Sequence, residues 1–386
     1  MNRPLNRAGK NETMKDNEIY RIKGTDIRKN TRRLLEEADL ASEILRKTGY
    51  FDAQQNIVIK PNLVCASPAE FGATTHPEII EELICYLQEK GYRSITVMEG
   101  SWVGDKTSEA FEICGYRKLA EQYGVRLIDT KKEKAQKTDC AGMELEICRC
   151  ALEADFLINV PVLKGHCQTK MTCALKNMKG LIPDREKRRF HQMGLHDPIA
   201  HLNTGIRQDF ILVDDLCGDP DFEEGGNPLK TDCILAAKDP VLMDAYACEA
   251  LGWSPEQVPY VIKAEHLGVG KKDGRILKDF GEEIPETKEK QERRMLDVSY
   301  AIEDTDTCSA CYSSLTEALW QLKQEGLLER LDTKIGIGQG MRGKGGKLGV
   351  GTCTSQFDLC IQGCPADPED IFRTLKAYIL ERDHKE

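Results

Sequence analysis

Apolar positions between residues 19 and 267 follow two alternating rhythms. Short aliphatic runs, "NIVIKPNLV" (56–64), "SITVMEG" (94–100), "VRLID" (125–129), "DFLINVPVLK" (155–164), "DFILVDDL" (209–216) and "CILAAKD" (233–239), predict buried strands. Between them, "THPEIIEELICYLQEKG" (75–91), "KTSEAFEICGYRKLAEQYG" (106–124) and "PVLMDAYACEALG" (240–252) space their apolar residues three and four apart, as amphipathic helices do. Repeated strand-helix-strand order predicts an α/β fold with a mainly parallel sheet and flanking helices. Thr75 and the His76-Pro77 step mark a helix start, with Pro77 in the first turn where its missing N–H costs nothing. Ligands of such sheets bind beyond the carboxyl ends of the strands. The pattern therefore predicts that Lys60, Asn62, Glu99, Lys164 and His166 share one rim.

The rhythm fails at both ends of this region. Residues 1–18 are polar and read as a disordered extension, with Met14 a candidate start. "GVGKKDGRILKDFGEEIPETKEKQERRM" (268–295) is charged and poor in apolar residues, so 268–299 reads as a connecting segment. Residues 300–386 form a smaller C-terminal cysteine-rich α/β module. The chain of 386 residues, 40% of them hydrophobic, is long enough for such a division, and its net charge of -10 argues against nucleic acid as the main partner. No 18-residue apolar run and no secretory segment is visible, which predicts a cytoplasmic protein without a membrane partner.

There are 16 cysteines, and a reducing cytosol keeps thiols free, so they are ligands, nucleophiles or small core residues rather than a disulfide framework. Eleven lie in the first 250 residues, mostly in apolar company that fits buried small side chains. The other five cluster. Cys308-x-x-Cys311 directly precedes an amphipathic helix, whose free N–H groups and dipole favour negative sulfur. Cys353, Cys360 and Cys364 follow among glycines and a proline, which mark loops rather than core. Four thiolates from separated loops suit a cubane, and they also suit a tetrahedral structural zinc, although zinc ribbons usually place their second pair closer than Cys353 and Cys364. Between these halves, Gly338 to Gly345 approaches a phosphate-binding loop. It fails because Gly345 stands where a magnesium-binding hydroxyl is needed and no helix-forming run follows. Its glycines let backbone pass close to a cluster, while Arg342, Lys344 and Lys347 offset negative charge.

The densest polar stretch is "NVPVLKGHCQTKMTCALKNMKGLIP" (159–183), where Lys164, His166, Lys170, Lys176, Asn177 and Lys179 interleave with apolar residues. In an acidic protein this is a candidate site for a carboxylate, phosphate or nucleotide, against the plainer reading of a solvated lysine face. His76, His191, His196 and His201 are further candidate bases or ligands, and His196 and His201 are five apart, off the spacing of a helical metal pair. Asp214, Asp215, Asp219 and Asp221 read as a capped, solvated loop, with magnesium the alternative. Asp244 reads as facing the rim or complementing its helix dipole.

Three resemblances extend this reading. "IKPNLV" (59–64), "TTHPEII" (74–80), "ADFLINVPVLKGH" with "ALKNMKGLIP" (154–183), "HDPIAHLN" (196–203), "VDDLCG" (213–218) and "AAKDPVLMDAYACEALG" (236–252) resemble the domain-of-unknown-function family 362 in matching order. Members of that family often carry an iron-sulfur module after this domain. The cysteine tail is similar to the small subunit of nickel-iron hydrogenases and its counterpart in respiratory complex I. In those, a cysteine pair, a Gly-x-Cys and a Gly-Cys-Pro-Pro hold a [4Fe-4S] cluster. Here the pair is Cys308 and Cys311, then come "GTC" (351–353) and "GCPADPEDI" (363–371), with Ala366 in place of the second proline. The resemblance implies Cys308, Cys311, Cys353 and Cys364 as ligands, with Cys360 spare. The His166 to Lys176 spacing also resembles lactate racemases, which tether a nickel-pincer nucleotide through lysine.

These observations predict a [4Fe-4S] protein, a redox enzyme or electron-transfer protein that binds an anionic small molecule or organic cofactor such as a nucleotide. The binding residues would include Lys60, Asn62, His76, Lys164, Asn177 and Lys179, with His166 and Lys176 in catalysis and an electron-transfer protein as partner. The alternatives are a non-redox isomerase or racemase with its cofactor tethered at Lys176, and a cluster-bearing carrier or assembly protein without catalysis.

Overall fold

In the computed structural model, residues 13–281 and 293–383 are described and form two compact units. The first comprises residues 13–163, 172–218 and 228–281. The second comprises 164–171, 219–227 and 293–383. Residues 1–12 of the expected extension and 282–292 of the expected connector lie outside the described residues.

The first unit is built on an eight-stranded sheet. In chain order its strands are β1 (Glu18–Lys23), β2 (Ile57–Pro61), β3 (Ile95–Glu99), β4 (Arg126–Asp129), β5 (Phe156–Val160), β6 (Phe210–Asp215), β7 (Cys233–Ala237) and β8 (Ile276–Asp279). Their spatial order is β8-β1-β7-β6-β5-β2-β3-β4. Pairing is parallel from β6 to β4 and between β1 and β8, and β7 alone runs against its neighbours. The expected mainly parallel sheet is present. The strands are apolar on both faces because both faces are buried.

Every second strand residue enters one core. Ile57 and Ile59, Ile95 and Val97, Phe156 and Ile158, Phe210 and Leu212, and Ile234 and Ala236 meet Leu34 and Leu35 of the helix Ile27–Glu37 and Ile79, Ile80, Leu83, Ile84 and Leu87 of the helix Pro77–Glu89. The intervening residues, among them Val58, Leu157, Ile211, Val213 and Leu235, are buried on the opposite face. There the short helix Ala174–Asn177 packs on β5.

Local departures have local causes. The run at 106–124 forms two helices, Thr107–Ile113 and Tyr116–Tyr123, because Gly115 turns the chain with φ +80°. His76 caps its helix by backbone position, while Thr75 Oγ1 donates to Val160 O at 2.8 Å and accepts from Asn62 N at 2.8 Å, tying strand ends together. Met14 is buried, and the strand β8 lies inside the charged stretch 268–299.

The second unit holds a four-stranded parallel sheet, β9 (Ile302–Asp304), β10 (Ile335–Ile337), β11 (Leu348–Val350) and β12 (Leu359–Ile361), in that spatial order. Helices Ser309–Gln324 and Pro368–Asp383 accompany it and touch each other. This is the expected smaller α/β module. Among the described residues no helix is long and apolar enough to cross a membrane.

Ile158 lies at the centre of the large sheet, opposite Ile59 on one side and Phe210 on the other, with no exposed surface. Ile158→Ala is expected to remove about 2–5 kcal/mol of stability, read as a lower urea midpoint at unchanged slope.

Candidate functional site

Strand order reverses between β2 and β5, since the chain runs outward through β3 and β4 on one side and through β6 on the other. The carboxyl ends of strands at such a reversal form a crevice where ligands of α/β sheets bind. Lys60 ends β2, Glu99 ends β3, Asn159 lies in β5 and Asp214 in β6.

Lys60 is wholly buried, and its Nζ donates to Pro61 O at 2.6 Å, Glu99 Oε2 at 2.8 Å and Asn177 Oδ1 at 3.3 Å. Burial pulls the ammonium pKa down, and the charge of Glu99 together with its hydrogen bond opposes that. Glu99 is clamped in turn by the backbone N–H groups of Leu63 and Gly100 at 2.8 and 2.7 Å. Asn177 Nδ2 donates to Asn159 Oδ1 at 2.7 Å, and Asn159 Nδ2 donates to Gln208 Oε1 at 2.6 Å and Ala174 O at 2.9 Å. A charge and a chain of amides thus fill the crevice floor. Gly180 passes so close that a Cβ there would stand 2.0 Å from Glu99 Oε1 and 2.4 Å from Lys60 Cε.

Beside this floor, His76 Nδ1 is 2.8 Å from Asp214 Oδ2, which also accepts the His76 backbone N–H at 2.7 Å. Asn62 Oδ1 accepts from Val64 N at 3.2 Å. Lys176 is largely buried on the helix Ala174–Asn177, its Nζ 3.1 Å from Thr172 Oγ1, and Lys179 is half-buried in the turn Met178–Leu181. The first unit therefore gathers Lys60 with Asn177, and carries Asn62, His76, Lys176 and Lys179. A cavity of about 1190 Å³ lies near the starts of β5 and β6, lined by Phe156, Gln208 and Asp209 among others, and contains none of these residues.

Lys164 and His166 belong to the second unit. Lys164 Nζ donates to Glu223 O at 2.7 Å, and His166 Nε2 is 3.5 Å from Glu223 Oε1. His166 Nδ1 accepts the backbone N–H groups of Gln168 and Thr169 at 3.0 and 3.3 Å. These partners fix the tautomer with the proton on Nε2. The lysines of 159–183 do not form a solvated face, since Lys164 and Lys176 are enclosed.

The acidic residues after β6 are buried rather than solvated. Asp219 accepts from the backbone of Asp221, Phe222 and Asn227, and Asp221 accepts from Arg294 and Met295 at the start of the helix Arg294–Val298. Asp244 likewise does not face the rim. It is buried and accepts from Ala174 and Leu175 N–H at 2.7 and 3.3 Å, and burial pushes its pKa up to about 7.

The thiol centre lies wholly within the second unit. Cys308 stands at the N-terminus of the 16-residue helix Ser309–Gln324, Cys353 in the turn after β11 and Cys364 in the turn after β12. Together with Cys311 they line one cavity of about 90 Å³, whose other walls include Gly338, Arg342, Gly351 and Gly363. A hydrogen bond from Cys311 and the backbone N–H groups at the helix start pull the Cys308 thiol down to about 6 against the effect of burial, and Cys311 is pushed up correspondingly. Arg342 lines the cavity with Cys353, whose proximity holds the guanidinium pKa above its ordinary value. Gly351 and Gly363 have φ of +88° and +144°, where a side chain is strained, and a Cβ on Gly351 would stand 3.6 Å from Cys311 Sγ. Cys360 is outside the cavity lining and contacts Thr354 Oγ1 at 3.3 Å and Gln362 Nε2 at 3.1 Å. Among the described residues no group of three or more His, Cys, Asp or Glu is placed to hold a single metal ion. Of the eleven earlier cysteines, seven are buried as small core side chains and four are half-buried.

Sequence reasoning missed Glu99 as the partner of Lys60, Asn159 as the next link and Asp214 as the partner of His76. Their signal was position at the carboxyl ends of adjacent parallel strands.

A family model described as a domain of unknown function, DUF362, matches residues 57–249. Among curated proteins, the chain is 23% identical over 224 residues to the Thylakoid-associated protein sll1697 of Synechocystis sp., an alignment covering 55% of this chain and 68% of that protein. Among solved structures, the lactate racemase apoprotein from Thermoanaerobacterium thermosaccharolyticum superposes with a TM-score of 0.38 at 16% identity, covering 60% of this chain and 56% of that one. The chain thus spans little more than half of the racemase, and a likeness at this level carries no argument about activity.

Removing one member of a buried ion pair strands the other, so Lys60→Met is expected to cost about 3–5 kcal/mol in urea unfolding. Adding Glu99→Leu to it should cost less than the sum of the two single changes. Asp215 gives a pH prediction. Burial, and then the charge of Asp214, push its pKa up to about 7. Between its unfolded value and about pH 7 the folded state binds more protons than the unfolded one, so stability is lost as pH rises through that window. Asp215→Asn lacks this loss, and its stability relative to the parent should climb from about pH 4 to about pH 7 and then level off, as measured by urea midpoints.

Proposed function

Because the chain belongs to the DUF362 family, we propose that it joins that family's α/β domain to an electron-handling module, making it a [4Fe-4S] iron-sulfur protein that acts as a redox enzyme or electron-transfer protein on an anionic small molecule. The observation that carries this reading is the single cavity lined by Cys308, Cys311, Cys353 and Cys364.

The donor set fits the group. Four thiolates and no imidazole or carboxylate are the ligands of such clusters. Cys308 has its thiol pKa drawn down by Cys311 and then by backbone N–H groups at the helix start, Arg342 sets a positive charge beside Cys353, and the glycine backbone leaves the cavity wall bare. When bound, a cluster of this type supplies one-electron transfer. Structural zinc is the competing occupant of four thiolates.

The anion is assigned to Lys164, an enclosed cation of the second unit that shares Glu223 with His166. A carboxylate, phosphate or nucleotide is the matching chemistry. His166 holds its exchangeable proton on Nε2, because Nδ1 is occupied as an acceptor, so Nε2 is the atom from which it would protonate a substrate. An electron-transfer protein is the partner this reading requires, and a reducing cytoplasm suits the free thiols.

Protein purified without oxygen is expected to be brown and to contain about four irons and about four labile sulfides per chain. Serine at 308, 311, 353 or 364 should lose most of the iron, whereas Cys360→Ser should retain it. Colourless protein with stoichiometric zinc and no sulfide would sink the proposal.

A further inference from the structure

Cys217, in the turn after β6, takes no part in the thiol centre and is half-buried. Its Sγ lies 3.7 Å from His76 Nε2, and the other ring nitrogen of His76 is 2.8 Å from Asp214 Oδ2. Asp214 is fixed independently, accepting the His76 backbone N–H on Oδ2 at 2.7 Å and the Leu216 N–H on Oδ1 at 3.1 Å. A thiol, an imidazole ring and an orienting carboxylate in hydrogen-bonding sequence are the arrangement that stabilises a side-chain thiolate as an ion pair. We propose that Cys217, His76 and Asp214 form a reactive-thiol site at which Cys217 bonds covalently to carbon electrophiles bearing a displaceable group.

The polar contacts account for every proton. Burial works against a charged His76, but the charge and hydrogen bond of Asp214, helped by Cys217, outweigh it and push the pKa up to about 11. The ring is an imidazolium with two N–H donors, one toward Asp214 and one toward sulfur. The thiol S–H has its own acceptor, the carbonyl oxygen of Ala69 at 3.5 Å. Loss of that proton to buffer leaves a thiolate facing the imidazolium, which stabilises it. The sulfur lone pair then forms an S–C bond, the bond from carbon to the leaving group breaks, and the leaving group departs with its electrons. The 13-residue helix Pro77–Glu89 begins at this point and adds the positive end of its dipole. The other titratable groups near this chain of contacts are Asp215 beside Asp214 and the buried Tyr116, whose hydroxyl donates to Thr75 O and whose pKa burial raises well above the usual range.

The probe is iodoacetamide below stoichiometry on the full chain at about pH 6.5, some two units below an ordinary thiol, with alkylation read peptide by peptide in a mass spectrometer. Cys85 and Cys150, also half-buried, are internal references. Cys217 is expected to label at least about tenfold faster than either, and His76→Gln should remove that advantage. The ratio of Cys217 to Cys85 labelling in the unaltered protein, compared with the same ratio after urea unfolding, gives a second reading that needs no substitution, since unfolding should abolish the advantage. Labelling no faster than Cys85, an advantage that survives unfolding, or a rate unchanged in folded His76→Gln would each overturn the proposal.

Discussion

An ammonium group without access to water must place its protons on protein oxygens, and Lys60 meets that demand at the point where the large sheet reverses its order. Its oxygens come from β2 itself, from the end of β3 and from Asn177 beyond β5. The pair therefore fixes how the carboxyl ends of neighbouring strands stand relative to one another. The amide chain through Asn159 and Gln208 continues the constraint toward β6, and Gly180 must lack a side chain for the segment after it to close over the pair. Whatever binds along this rim meets a floor already fixed in place.

The smaller sheet applies the same geometry to different chemistry. Parallel strands deliver successive loops to one end, and three of the four cavity thiols sit in loops that follow β9, β11 and β12, while the fourth is carried by the helix after β9. Short strands of three residues suffice because the loops, rather than the strands, carry the donors.

Much of this was legible in the residues. Both-face burial makes β2, β3, β5, β6 and β7 continuous apolar runs, and such runs announce themselves. The resemblance to the hydrogenase small subunit set Cys308, Cys311, Cys353 and Cys364 apart from Cys360, and those four line the cavity while Cys360 does not. Other features were illegible for physical reasons. The antiparallel hairpin Ala135–Cys140 with Met143–Cys148 is mostly polar and solvent-facing on its first strand, so no apolar rhythm marks it. The partnership of His76 with Asp214 spans 138 residues and depends on helix and strand ends meeting in space. The grouping of Lys164 and His166 with Glu223 likewise depends on tertiary contact between two short segments.

The strand β8 sits at the margin of the large sheet and is drawn from a stretch with the composition of a linker. Its Lys278 reaches Glu18 at 2.8 Å, and Asp279 pairs with Arg21, so its charges are spent on the neighbouring strand β1. A margin that is short and charged is a poor template for further pairing. Without those four residues, the hydrogen-bonding groups along β1 would face outward beside an apolar core, inviting strand-to-strand self-association. The hydrophilic stretch thus serves as a guard against aggregation.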